Sequence, residues 1–385
     1  MTAPPAPSAR LTSIDQLRGL VMLLMLLDHV RETFFLHMQV SDPVDVDSVS
    51  PLLFVFRLGA HLCAPAFVFL TGLSAWLYGQ RQPRPRVATA AFLAKRGVFL
   101  LVLELTLVNF AWTFELPPQT VYLQVIWAIG LSMLALAALL WLPRGVLVAA
   151  GLGVIAGHNL LDDVRLEGPF GHALWSILHQ RDWIVISDGA LRLRTSYPVL
   201  PWIGVIALGY AAGPWFGTTM APSLRHRRLL AWGAASLAVF FVLRALDVYG
   251  DAPWHVAADR VRTLMAYFNV TKYPPSLLFL ALTLGTSLLL LRLFEQRQWA
   301  ARLVPLATLG GAPMFFYLLH LYVLKLLYVA AVATWGANQG EHFGFGHAGW
   351  LLPVAVALAL ALYPATRAFA RLKARRRDLA WLRYL

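Results

Sequence analysis

Asp15, Arg18, Asp28 and His29 all fall within one apolar stretch near the start of the chain. An ionisable group is costly to keep in such a stretch, so each is a candidate for chemistry. Arg18 and His29 are eleven residues apart, and at about 100° per residue they return to within roughly 20° of one helix face. The helical rise places them roughly 16 Å apart along the axis. An imidazole titrating near neutrality can take a proton from a hydroxyl or amine and return one to a leaving thiolate, and it can also carry an acyl group itself. Arg18, at the other end of that span, suits a long donor that bears phosphates. Asp28 is a catalytic candidate by adjacency, but it projects about 100° from His29 and is expected to pair with Arg31 or another helix.

Further polar groups sit at the same expected depth as His29. Arg57 and His61 lie in the second apolar run, Lys272, Tyr273 and Ser276 at the start of the eighth, and His320 and Lys325 in the ninth. Drawn from four helices, they could line one cavity for a substrate. Taken singly, Arg18 reads equally as an interfacial anchor and His29 as an interior histidine satisfied by a neighbour. No histidine pair shows the HxxxH or HxxH spacing of a preformed metal site, and no metal is expected. Glu104 and Asn109 are expected to make structural hydrogen bonds.

The elements that must hold these groups are membrane helices. Of 385 residues, 59% are hydrophobic and 13% charged, about half the charge content of a soluble domain. Apolar runs long enough to cross a bilayer centre on 14–36, 51–78, 97–115, 121–142, 145–161, 199–216, 229–246, 274–292, 308–333 and 349–371, which predicts an all-α integral membrane protein of about ten transmembrane helices. No cleaved signal is expected at the start, and the lone Cys63 excludes an intramolecular disulfide.

The net charge of +13 does not signify nucleic acid, because the basic residues alternate with the helices. With residues 1–13 cytoplasmic, the inner side collects 21 Lys and Arg against three carboxylates, including the basic tail 372–385. The positive-inside rule therefore predicts both termini in the cytoplasm. The longest outer connection, 162–198, carries Trp183–Ser187, then Asp188-Gly189, then Ala190–Arg194, the pattern of a periplasmic β-hairpin cap. The segment 255–270 reads as an amphipathic interfacial helix. The whole chain 1–385 reads as one polytopic domain without a visible repeat. Oligomeric state is open, since lipid-facing and partner-facing helix surfaces are both apolar.

Several blocks resemble the bacterial relatives of heparan-α-glucosaminide N-acetyltransferase. They are Ser13–Gly19 followed by Leu27-Asp28-His29, Arg57 through Cys63 to Gly72, Tyr197–Gly204 with Gly209-Tyr210, Thr271–Ser276, and Pro313–His320. Each block is moderately specific, and their order over most of the chain makes the likeness strong. The resemblance implies a transmembrane acyltransferase fold that uses cytoplasmic acetyl-CoA, or another acyl-CoA, to acylate a sugar or glycan on the far side. The Arg18-to-His29 spacing is also similar to a motif of membrane O-acyltransferases, in which the arginine serves the donor and the histidine the chemistry. One departure stands out. The position matching His29 looks like an asparagine in the lysosomal enzyme, whose catalytic histidine follows nearer His37.

These readings converge on a membrane acyltransferase with His29 as base or acyl carrier and His37 as the alternative. Arg18, Arg57, His61, Lys272, Tyr273, Ser276 and His320 are the expected binding residues. A transporter of a small polar solute and a non-catalytic partner in an envelope assembly are the competing readings. Acceptor, acyl length, and O- or N-acylation stay open.

Overall fold

The computed structural model describes residues 11–186, 189–376 and 378–384. Helix α1 (Thr12–Phe34) is followed by α2 (Pro51–Ala60) and α3 (Cys63–Gly79), which are separated at His61 and Leu62. Ser50 caps α2 by accepting from the Leu53 amide, and Pro51 occupies the first turn, where no amide partner is needed. Helix α4 (Pro85–Leu103) continues through a π-helical turn, Glu104–Val108, into α5 (Asn109–Thr113). Next come β1 (Thr120–Leu123), α6 (Val125–Leu139), and α7 (Arg144–Gly157) with a 3-10 turn to Leu161. Helix α8 (Gly168–Leu178), β2 (Trp183–Ile186) and β3 (Leu191–Thr195) form the cap, and α9 (Leu200–Ala212) returns to the bundle. Helices α10 (Pro222–Leu246), α11 (Arg260–Phe268), α12 (Leu277–Phe294), α13 (Arg297–Arg302), α14 (Val304–Gly310), α15 (Pro313–Trp335) and α16 (Leu351–Arg375) complete the chain.

The charged helix is the central one. Helix α1 packs against α2, α3, α12, α14, α15 and α16, so its polar side chains meet protein rather than lipid, which is what makes them tolerable in an apolar helix. Small residues bring the neighbours close. A Cβ on Gly19 would collide with the Leu306 carbonyl of α14, one on Gly310 with the Asp15 carbonyl, and one on Gly72 of α3 with the Ile206 carbonyl of α9. In an apolar solvent, this backbone proximity supplies the dispersion contacts that hold helices together.

Among the described residues, six stretches are long and apolar enough to cross a membrane: Pro51–Gly79, Arg144–Leu161, Pro222–Leu246, Leu277–Phe294, Pro313–Trp335 and Ala348–Arg375. Two apolar helices, Val125–Leu139 and Leu200–Phe216, are shorter. Helix α1 is long enough but carries Asp15, Arg18, Asp28, Arg31 and Glu32. Each of the ten apolar runs thus contains a helix, and six meet both the length and the composition of a span.

The structure corrects several boundaries. Residues 120–123, at the start of the run expected over 121–142, form a strand, because Thr-Val-Tyr favours extended backbone and β3 offers it a partner. The hairpin is therefore part of a three-stranded sheet of order β1-β3-β2, with β1 parallel and β2 antiparallel to β3. Of its expected Asp188-Gly189 turn, Asp188 lies outside the described residues and Gly189 has a φ of 97°. The amphipathic helix over 255–270 shortens to α11, capped by Asp259. Lys272 and Tyr273 lie in the loop before α12, not on the helix, and the Ser276 hydroxyl caps α12 by accepting from the Phe279 amide.

Candidate active site

Two cavities lie on opposite sides of a wall formed by Met25, Phe67 and Val125, which line both. The cavity on the sheet side has a volume of about 370 Å³ and is bordered by Asp28, His29, Glu32, Arg181, Lys272 and Tyr273. The one on the opposite side, about 330 Å³, is bordered by Asp15, Arg18, Ser74, Arg96, Tyr317 and Lys373. Helix α1 serves both because Arg18 and His29 share a face while being three turns apart.

His29 is held from behind by the far end of the chain. Its Nδ1 lies 2.7 Å from Nε2 of His320 on α15, and His320 Nδ1 lies 2.7 Å from the Phe316 carbonyl. A carbonyl only accepts, so His320 carries its proton on Nδ1 and presents a lone pair at Nε2. With both rings neutral, the hydrogen between them belongs to His29 Nδ1, and His29 Nε2 keeps its lone pair. This is the tautomer a general base needs. The Trp112 ring meets His29 edge-on at 5.2 Å, and Tyr317, which lines the opposite cavity, stands 6.1 Å from it.

Asp28 turns away from the ring, as its position on the helix requires. It accepts from Arg31 Nε at 3.0 Å and lies 3.9 Å from Arg57 Nη1. Arg57 also reaches Asp42 at 3.6 Å, and Asp42 in turn accepts from the backbone amides of Lys272 and Tyr273. A buried string of charges therefore fixes the loop that carries Lys272 to the inner helices. Arg57 forms part of this support, while Lys272 and Tyr273 reach the cavity itself. The Arg181 guanidinium covers the Tyr273 ring at 4.7 Å, and the Tyr273 hydroxyl donates to that of Tyr197 at 3.2 Å. Burial pushes the Tyr197 phenol well up, with neighbouring Tyr273 adding to the shift, so this hydroxyl keeps its proton.

The remaining expected site residues stay out of the cavities. His61 is buried between α2 and α3, its ring 5.1 Å from Phe279 and neither nitrogen hydrogen-bonded. Ser276 is spent on its cap and on Asp251 Oδ2, 2.5 Å away. His37 lies beyond the end of α1 against Phe35 and Gly344. Lys325 donates to the Trp112 carbonyl at 3.0 Å. Glu104 accepts from the Trp127 amide, and Asn109 both donates to and accepts from β1, the structural bonds expected of them.

Other lining residues were hidden from the sequence. Tyr122, Arg194 and Trp183 come from three different strands but fall in one cross-strand row, Tyr122 opposite Arg194 and Arg194 opposite Trp183, and all three border the sheet-side cavity. Only the strand register shows this. On the opposite side, Arg96 and Lys373 join Arg18, which pairs with Asp15 at 2.9 Å and hydrogen-bonds Ser74. Arg96 lies well inside α4, yet in sequence it precedes the 97–115 run and reads as one more basic loop residue.

Residues 10–249 match the family model described as heparan-alpha-glucosaminide N-acetyltransferase, catalytic, whereas no curated protein matches the chain. The matched span contains Arg18, His29, Arg96 and the whole three-stranded sheet, and leaves Lys272, His320 and Lys373 beyond it. With more than half of its length so matched, this helical membrane protein belongs to the family of the heparan-alpha-glucosaminide N-acetyltransferase catalytic domain.

Proposed function

We propose that this protein is a ten-crossing acetyltransferase of the bacterial inner membrane, with both termini cytoplasmic, that moves an acetyl group from cytoplasmic acetyl-CoA to a sugar or glycan on the periplasmic side. The observation that carries this reading is that His29 borders one cavity while Arg18, on the same face of α1, borders the other across the Met25, Phe67 and Val125 wall. Arg18, Arg96 and Lys373 suit the phosphates of the donor. The pantetheine arm would pass the Met25 and Phe67 wall toward His29. On the far side, Asp28, Glu32, Arg181 and the tyrosines offer the donors and acceptors that hold a sugar.

In this reading, His29 Nε2 takes the proton of the acceptor amine or hydroxyl as that atom attacks the thioester carbonyl. Lys272 stabilises the oxyanion that forms. Collapse breaks the carbon–sulfur bond, and the departing thiolate takes the proton from His29. Asp28 supports this through Arg31 and Arg57 instead of touching the ring. A route through an acyl-histidine uses the same Nε2 lone pair.

Two measurements test the proposal. Acetyl-CoA should raise the thermal unfolding midpoint of the purified protein above both CoA and no ligand, and no shift over a wide concentration range would count against it. His29→Ala should lower acetyl transfer in membranes by on the order of 10² to 10⁴ with normal expression. Full activity in that variant would remove His29 from the chemistry. A transporter could use the same two cavities, and solute uptake without thioester consumption would favour it.

A further inference from the structure

Away from both cavities, the outer end of α7 gathers a second set of ligating side chains. His158 opens the 3-10 turn that follows α7, Asp162 comes four residues later, and His179 ends α8. One ligand atom from each lies within 4.8 Å of the other two. His158 and His179 are 2% and 1% exposed, respectively. Neither nitrogen of His158 makes a hydrogen bond, and the Pro275 carbonyl faces that ring outside hydrogen-bond geometry. A buried imidazole with both nitrogens unsatisfied is uncommon, because the lost hydrogen bonds with water are not replaced.

We propose that His158, Asp162 and His179 bind a Zn²⁺ ion that clips the cap to the loop of Lys272. Two imidazoles and a carboxylate are a set that zinc accepts, with water in the fourth position. One His158 nitrogen would take the metal while the other turns to the Pro275 carbonyl, the outer support that metal-bound histidines usually have. Asp162 is prepared in the same way. Asn159 donates to its Oδ2 at 3.0 Å, leaving Oδ1 3.6 Å from His179 Nε2. Trp175 stacks on His179 at 5.2 Å with planes 9° apart and fixes that ring.

Ligation has a stated cost. His179 Nε2 donates to the His158 carbonyl at 2.8 Å, so coordination through Nε2 gives up this bond and moves the ring proton to Nδ1. Zinc bonds of about 2.0–2.2 Å set ligand atoms roughly 3.4 Å apart, so the side chains must draw in by about 1 Å. The ion would act on the loop through short paths. Asn159 Oδ1 accepts from the Leu277 amide at 2.9 Å, and Pro275 lies three residues from Lys272.

The test uses the full chain purified on a tag without histidines, stripped with chelator, incubated with Zn²⁺ and desalted. Elemental analysis should find about one zinc per chain, and zinc should raise the unfolding midpoint by several degrees. Asp162→Asn, which changes a half-exposed side chain and leaves the buried core intact, should lose both effects, as should His158→Asn. Equal zinc content in wild type and Asp162→Asn, or no retained zinc in wild type, would overturn the proposal.

Discussion

His29 and His320 stand 291 positions apart in sequence and 2.7 Å apart in space, Nδ1 to Nε2, with ring planes inclined by 24°. The contact joins α1 to α15 and sets the tautomer of His29. In the proposed mechanism His320 is a positioning residue, since it does not border the cavity.

Replacing His320 with Ala should lower kcat for acetyl transfer by on the order of 10² while changing the acetyl-CoA KM little, because the His29 ring loses its orientation and tautomer. His320→Gln, whose carbonyl oxygen can still accept from Nδ1, should restore part of the rate. A packing role alone predicts equal losses in the two variants, and steady-state kinetics in membranes separates these outcomes.

Arg18 is expected to act on donor binding. Arg18→Gln should raise the acetyl-CoA KM about 10- to 100-fold, the value of one charge-assisted hydrogen bond, and leave kcat within about threefold. Arg18→Lys keeps a charge beside Asp15 and should fall between. Unchanged KM in Arg18→Gln would take the residue out of the donor site.

Helix α3 meets α9 where Gly72 faces the Ile206 carbonyl. Gly72→Leu should cost about 1 to 3 kcal/mol or more, read as a lowered unfolding midpoint in detergent, because a side chain there forces the helices apart. Apart from its own stretch of helix backbone, nothing lies within 4 Å of the position a Cβ on Gly153 of α7 would take. Gly153→Leu should leave the midpoint unchanged.

A pH effect is expected from Asp251. Burial raises its carboxyl pKa above the usual value, against the hydrogen bonds it accepts from Ser276, Thr271 and Ala252. A carboxyl raised in the folded state binds its proton more tightly there than in the unfolded chain. Its contribution is therefore fully present below the unfolded pKa and is lost as pH rises through the folded one. As pH rises above about 4, the unfolding midpoint should carry a falling component. That component should vanish in Asp251→Asn, and identical pH dependence in both proteins would contradict it.

The sequence by itself determined the membrane character, the ten apolar runs and the shared face of Arg18 and His29, because hydropathy and helical period are local properties. It also exposed the family through blocks such as Ser13–Gly19 and Cys63–Gly72. It could not pair His29 with His320, join Asp42 to Arg57 and the Lys272 loop, or bring Arg96 and Lys373 to Arg18. Those groups come from distant segments, and only the packing of helices around α1 decides which of them meet. His61 and Ser276 show the same limit from the other side. The sequence reading puts both at the level of His29, yet one faces Phe279 and the other caps α12, since depth in a membrane does not fix direction. The β1 strand was hidden because four residues of Thr-Val-Tyr-Leu become a strand only when β3, some seventy residues later, supplies the partner for their backbone hydrogen bonds.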